Sequence, residues 1–325
     1  MAVKLVDGAI AIYKPKGLTS HDIIEKIRHF YRFNAGHAGT LDPMAQGVLV
    51  VFFGKALKIL SFLPAASLDK TYLMRVTLGT TTDTYDSTGN VVDKFQGKID
   101  MDSETLLKTF RKFIGEIEQT PPAFSAVKID GKRAYELARS GKIPVIASRK
   151  VYIYSIRLVK DFFLDGSRNL LLRVHCGRGT YVRSIAYDLG KELGCGAHLS
   201  YLLRERVGIF TSAKSYPVWK IEKKEPFWES DSFLPLNKIL PFPSFFVGKD
   251  GEIRIQKGQP LSFSDLNTFD EHFDQIRQIE ENPVFQIFSE EKKLLAIYKP
   301  EVVNKDEKIC FSKVRLFPAR VFALE

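Results

Sequence analysis

The 325-residue sequence predicts an α+β fold built on a mixed or antiparallel sheet, with a small β-rich part toward its C-terminal end. Three observations carry that expectation. Apolar residues recur at strand spacing and at helix spacing in irregular alternation, not as regular strand–helix repeats. A hydrophobic fraction of 45% provides for a sizeable core, and the length suits two domains or three. Between Tyr216 and Pro243, where Trp219, Trp228 and several prolines cluster, periodicity breaks down, and short strand-like runs follow.

The elements follow in chain order. Ala9 to Tyr13 reads as a strand stopped by Lys14-Pro15-Lys16-Gly17. Ser20 is the expected N-cap of a helix whose Ile23, Ile24, Ile27, Phe30 and Tyr31 share a face. Asn34 to Gly47 reads as a structured loop feeding a strand from Val48 to Phe53. Lys70 to Gly79 alternates as a half-buried strand, Thr80 to Asn90 is turn-rich, and Ser103 is the expected cap of a helix to Phe113. Pro121 to Ile129 reads as a strand, Asp130-Gly131 as a turn, and Lys132 to Arg139 as a helix closed by Gly141. Strands are expected at Arg149 to Lys160, Asn169 to Cys176 and Arg206 to Thr211, with a helix from Tyr181 to Leu193. In the C-terminal part, strands are expected at Phe245 to Gln256, near Lys257 to Leu261, and at Val284 to Ile287, Leu294 to Tyr298 and Ile309 to Leu316.

Charge is unevenly divided. Residues 1–220 carry 33 Lys and Arg against 20 Asp and Glu, an excess of +13, whereas residues 221–325 carry −3. An excess of that sign suits a polyanion, through release of condensed counterions, as well as it suits a solubilising surface. No apolar run approaches the ~18 residues of a membrane span, and Asp7 interrupts any apolar signal core. A cytosolic protein is expected, with Cys176, Cys195 and Cys310 as reduced thiols.

Several chemistries lack their residues. HExxH and the Gly-Lys-Ser/Thr phosphate loop are absent, Gly177-Arg178-Gly179-Thr180 lacks the third glycine of a dinucleotide fingerprint, and the six histidines are dispersed. The expected chemistry therefore needs no metal, nucleotide or flavin and comes from side chains alone. Asp42 lies between glycines and before Pro43, a placement that functional loops use but that a plain Asp-Pro turn, its carboxylate accepting backbone N–H bonds, explains more readily. Tyr72 by itself is a half-buried strand tyrosine. Arg178 to Arg183 sets two arginines and Tyr181 at a strand-to-helix junction, suited to an anion or to a solvated cap.

The segment Gly36-His37-Ala38-Gly39-Thr40-Leu41-Asp42-Pro43-Met44-Ala45-Gln46-Gly47-Val48-Leu49 closely resembles the signature of the TruB family of tRNA pseudouridine synthases. Lys14-Pro15-Lys16-Gly17, Lys70-Thr71-Tyr72, Thr82 to Asp86, Gln119 to Pro122 with Ser125 to Lys128, Gly131 to Glu136, His175 to Arg183 and Gly194 to His198 also resemble family motifs. They stand in family order across about residues 9–211. The resemblance implies the pseudouridine-synthase fold, with a mixed, largely antiparallel sheet and flanking helices, and isomerisation of the T-loop uridine at tRNA position 55 without cofactor. Asp42 matches the catalytic aspartate, Arg183 the arginine paired with it, and Tyr72 the tyrosine that stacks on the target base and to which the resemblance also gives removal of the C5 proton of the product. Tyr181 and Leu202 match residues lining the pocket, His37 one that supports the flipped-out T loop, and Lys14 one packing near the site.

The resemblance weakens after Phe210. A catalytic domain over 1–240 and a divergent, PUA-like β-rich domain over 241–325 are expected, the latter with an acid-rich insert, Asp265 to Asn282, ill suited to phosphates. A monomer that needs no protein partner and acts on the tRNA T arm is the implied form, with a role in tRNA folding beside catalysis. An RNA chaperone would use the same basic cleft but would not need Asp42, Tyr72 and Arg183 together. A guide-RNA-dependent relative is disfavoured, because the chain lacks a long Lys-rich tail.

Overall fold

A computed structural model describes residues 6–125, 127–129, 131–140, 144–239, 242–268, 284–300 and 315–322. Two compact units emerge. One comprises residues 10–52 and 63–233, the other residues 1–9, 53–62 and 234–325.

The main sheet is mixed, as expected. Its strands run in the order Tyr216–Pro217, Gly8–Lys14, Gln46–Phe53, Ala197–Val207, Lys70–Leu78, Ser167–Cys176, Arg149–Leu164 and Gly115–Gln119. Ala197–Val207 pairs parallel with Gln46–Phe53 and antiparallel with Lys70–Leu78, and the pairings beyond that strand are antiparallel. Alternation in Lys70–Leu78 sends Tyr72, Met74, Val76 and Leu78 into one core, where Leu170, Leu172, Val174 and Leu202 meet them. The helix Val182–Glu192 covers that face with Ile185, Ala186 and Leu189. Each fully buried aliphatic side chain contributes roughly 1.5–3 kcal/mol.

The helix Ser20–Tyr31 buries Ile23, Ile24 and Ile27. Its cap is Thr19, one residue earlier than expected. The Thr19 hydroxyl accepts from Asp22 N at 3.0 Å, and Asp22 Oδ2 accepts from Thr19 N at 2.7 Å. Ser20 is unavailable for capping because its hydroxyl is engaged by the Leu41 backbone. Asp102, not Ser103, caps the helix Ser103–Arg111. The expected loop over 34–47 contains the short strand Ala35–Ala38, and the turn-rich stretch after Gly79 includes the strand Thr80–Thr82, paired with Val91–Lys94. Of the expected strand from Pro121 to Ile129, Lys128–Ile129 pairs with Lys132–Arg133, and a helix follows over Ala134–Arg139. Asp130 and Gly141 lie outside the described residues.

The C-terminal unit holds a six-stranded sheet in the order Leu261–Ser262, Arg315–Val321, Leu294–Pro300, Phe285–Ser289, Ser244–Val247 and Asn267–Thr268. One expectation there is overturned: after Ser244–Val247 the chain forms the helix Lys249–Gln256, not a continued strand. Residues 269–283 and 301–314, with most of the acid-rich insert and Cys310, lie outside the described residues. No described helix is long and apolar enough to cross a membrane.

Gly47 shows how tightly the sheet is closed beside the Asp42 loop. Its φ is +108°, and a Cβ there would fall 2.3 Å from Arg204 O and 2.9 Å from Arg204 N. Gly17, at φ +97°, has open space around it. Gly17→Ala therefore meets backbone strain only, about 1–3 kcal/mol, whereas Gly47→Ala adds a backbone collision, for about 2–6 kcal/mol in all. Urea midpoints of the two variants should separate accordingly. Equal midpoints would contradict the close strand approach at Gly47.

Candidate active site

Asp42 sits in a loop clamped from both sides. Ser20 Oγ donates to Leu41 O at 3.1 Å and accepts from Leu41 N at 2.8 Å. Gly17 N donates to Pro43 O at 2.8 Å, and Ala45 N to Asp42 O at 3.0 Å. The Lys14 ammonium braces the same turn by donating to Pro15 O at 2.9 Å and Leu18 O at 2.6 Å. The Lys-Pro-Lys-Gly motif thus holds the Asp-Pro segment in place. The bonds that hold the loop come from the protein itself, so its carboxylate need not be organised at the moment of reaction.

The Asp42 side chain is one-third exposed, and it meets Arg183, whose side chain is only 7% exposed. Arg183 Nε stands 2.9 Å from Oδ2 without hydrogen-bond alignment, while Nη2 donates to Oδ1 at 3.4 Å. Nη2 also donates to Phe124 O at 3.0 Å and Nη1 to Thr84 O at 3.2 Å. A second carboxylate, Asp86, lies 3.6 Å from Nη1 and is itself buried. Thr84 Oγ1 and the Thr88 backbone and hydroxyl donate to Asp86 Oδ1. One guanidinium therefore serves two acids and two carbonyls, which suits its planar, multi-donor shape.

Tyr72 lies in the core beside Arg204 and near Asp42, with its pKa pushed up to about 12 chiefly by burial. The phenol is neutral at physiological pH. Leu202 is buried in the same cluster as Tyr72 and Leu41. Tyr181 starts the Arg183 helix without a side-chain cap. Its backbone is instead clipped by Gln119, whose Oε1 accepts from Tyr181 N at 2.8 Å and whose Nε2 donates to Tyr181 O at 3.1 Å. The Arg149 guanidinium lies 4.8 Å from the centre of the Tyr181 ring.

His37 is half-buried, its Nδ1 unpartnered, and its pKa is lowered by burial and then by Arg204 and His21. Lys14 is fully buried, so it braces the loop and does not line an opening. Burial, partly opposed by Asp42 and reinforced by Arg204, lowers its pKa to about 8. Asp42, Arg183, Tyr72, Leu202, His37 and Lys14 thus gather around the loop, with Tyr181 two residues from Arg183.

Arg204 is the residue that sequence reasoning missed. It is fully buried, with Nε donating to Val48 O at 2.7 Å, Nη1 to Thr40 O at 3.2 Å and Nη2 to Gly39 O at 3.0 Å. It ties both ends of the Asp42 loop to the sheet and stands beside Tyr72. Ala197 and Leu199 point inward, but an irregularity between Leu199 and Tyr201 moves the inward positions to Leu202 and Arg204, so plain alternation gave no signal for it. Asp86 was noticed only as part of a motif, and a carboxylate followed by Ser and Thr reads as a turn.

The arrangement offers a fixed, reachable carboxylate held by a buried guanidinium, with a neutral phenol close by. Among the described residues no group of three or more His, Cys, Asp or Glu is placed to hold a metal ion.

Comparison with known proteins bears on this site. The family model described as TruB family pseudouridylate synthase (N terminal domain) matches residues 28–182, and that of the tRNA pseudouridylate synthase B C-terminal domain matches residues 183–241. A protein named tRNA pseudouridine synthase B from Caldanaerobacter subterraneus is 39% identical over 78% of this chain and 86% of its own. A protein of that name from Thermotoga maritima is 35% identical over 90% of each chain, and one from Oceanobacillus iheyensis is 33% identical over 98% of each. Among solved structures, a chain of the archaeal box H/ACA sRNP Nop10-Cbf5 complex superimposes with a TM-score of 0.66 at 22% identity, covering 98% of this chain and 87% of that one, a likeness of fold.

Proposed function

The chain belongs to the TruB family of pseudouridylate synthases, and on that premise we propose that it isomerises the uridine at position 55 of the tRNA T loop, with Asp42 as the catalytic carboxylate. Its reaction class is the isomerisation of uridine to pseudouridine in tRNA. The N1–C1′ bond breaks, the base turns, C5 joins C1′, and the proton leaving C5 is balanced by one gained at N1. The product is an isomer, so no oxidant, reductant or group donor enters. The observation that carries the residue assignment is the Asp42–Arg183 ion pair on a loop braced by Lys14, Ser20 and Arg204.

Asp42 is the negative group able to act at C1′. Attack on the sugar, addition to the base and assisted elimination at C2′ all start from its ionised form. Arg183 holds that charge in place. Tyr72 supplies a ring for stacking, worth ~1–3 kcal/mol, and Leu202 and Tyr181 wall the base. Extruding the uridine costs a few kcal/mol, which shape-specific contacts to the T arm must offset. We assign catalysis to residues 1–240 and a weak RNA contact to the PUA-like residues 241–325, in a cytoplasmic monomer that also assists tRNA folding.

Unmodified tRNA transcript, incubated with the protein and no added cofactor, should give a carbodiimide-dependent primer-extension stop at position 55. Conversion elsewhere, or none, defeats the proposal. Tyr72→Phe tests the phenol in the same assay. The ring persists, so tRNA affinity should hold, while the single-turnover rate should drop on the order of 10²-fold through the lost proton-transfer group. An unchanged rate would exclude the hydroxyl from the chemistry.

A further inference from the structure

The region around the Asp42 loop holds cations that the protein itself does not satisfy. Arg183 and Arg204 are engaged by carboxylates and carbonyls, and Lys14 by two carbonyls. Lys70 differs. It opens the strand Lys70–Leu78 two residues before Tyr72, so both side chains leave the same face, roughly 6.6 Å apart along the strand. Its Cε and Nζ pass over Gly39, 3.3 Å and 3.9 Å from where a Cβ would stand, with Arg204 Nη1 3.8 Å from the same point. The missing side chain at Gly39 makes room for the lysine.

Although half-buried, the Lys70 ammonium makes no hydrogen bond or ion pair with any described residue. Arg178, exposed and two residues past Cys176, the sheet partner of Lys70, makes none either. Burial first, then Arg204 and Arg178, lower the Lys70 pKa to about 8, against the opposing pull of Cys176 and Asp69. A partly desolvated cation crowded by guanidinium groups is costly unless an anion completes it.

We propose that Lys70 and Arg178 form a phosphodiester subsite that seats the RNA backbone beside the extruded nucleotide. The inference rests on the function proposed above, because that reaction brings a nucleotide to Asp42 and Tyr72. Two strand residues from a stacking ring is about one nucleotide's reach from base to phosphate. Arg178, at the rim, meets the chain first, and Lys70 receives the same or the adjoining phosphate deeper in. The subsite orients the strand and does not touch the reacting bond, so its energy appears in binding.

The test is tRNA binding across a potassium chloride series, with steady-state kinetics, for Lys70→Met, Lys70→Arg and Arg178→Ala. Lys70→Met and Arg178→Ala should each bind about tenfold more weakly, with the loss falling mainly on KM. Each should also flatten the plot of log affinity against log salt by about one ion, while Lys70→Arg keeps the wild-type slope. Arg178 is exposed, so its variant reports even if Lys70→Met proves unstable in a thermal melt. Wild-type slopes in Lys70→Met and Arg178→Ala overturn the subsite, as does weakened binding at full slope, which would mark a packing role. Wild-type protein run in parallel separates the two readings. If it forms no pseudouridine at position 55, the proposed function fails; if it does and the slopes stay unchanged, only the subsite fails.

Discussion

Asp42→Asn is expected to reduce uridine isomerisation by on the order of 10³- to 10⁴-fold or more while leaving tRNA affinity within a few-fold. The substitution removes a charge and almost no volume. The asparagine carbonyl still accepts from Arg183 Nη2, and the bonds that shape the loop, from Ser20, Gly17 and Arg204, involve backbone atoms of neighbouring residues. The melting temperature should therefore move little, and any loss of rate belongs to the chemistry. An amide neither attacks C1′ nor accepts the charge that the reaction develops. Asp42→Glu keeps the charge and displaces it by one methylene, so it should lose less than Asp42→Asn. Single-turnover conversion of a tRNA transcript with filter binding on the same preparations decides the matter. An Asp42→Asn protein that converts uridine at the normal rate would remove Asp42 from the mechanism.

The parts of this molecule that were legible in sequence are those where one period governs. Lys70–Leu78 alternates in all but Leu73, so its buried face, and with it the inward direction of Tyr72, follows from counting. The helix Ser20–Tyr31 shows its isoleucine face equally plainly. Its cap was misplaced by one residue because Thr19 and Ser20 are chemically equivalent caps, and only the distant Leu41 backbone decides which hydroxyl is free. Lys249–Gln256 misled for a related reason. Ile253 and Ile255 alternate like strand residues, yet the segment is a helix that buries Gly251 and Ile255. Gly251 is required there, since a Cβ would come within 2.6 Å of Val247 Cβ. Arg204 was hidden by the register shift between Leu199 and Tyr201. Such irregularities offset the count of inward positions, and a buried arginine then looks like one more surface charge. Asp42 itself was legible by motif, whereas its second acid, Asp86, required the fold that brings Arg183 between them.

Arg183→Met should cost about 3–5 kcal/mol of stability, because it leaves Asp86 buried without its cation and strips the carbonyls of Thr84 and Phe124 of a donor. Arg183→Lys retains the charge, but one ammonium on a flexible stem does not span Asp42, Asp86 and two carbonyls at once. It should fold and bind tRNA, with its rate lowered by on the order of 10²-fold as Asp42 loses its fixed position. Denaturation midpoints and single-turnover rates, taken where circular dichroism shows each variant folded, separate the structural loss from the catalytic one. The decisive comparison joins Arg183→Lys to Asp42→Asn. If the arginine acts through the aspartate, the lysine substitution costs little once the carboxylate is gone, and the two effects are strongly non-additive. Full additivity would mean that Arg183 serves the reaction independently of Asp42, and the ion pair would then be a feature of folding alone.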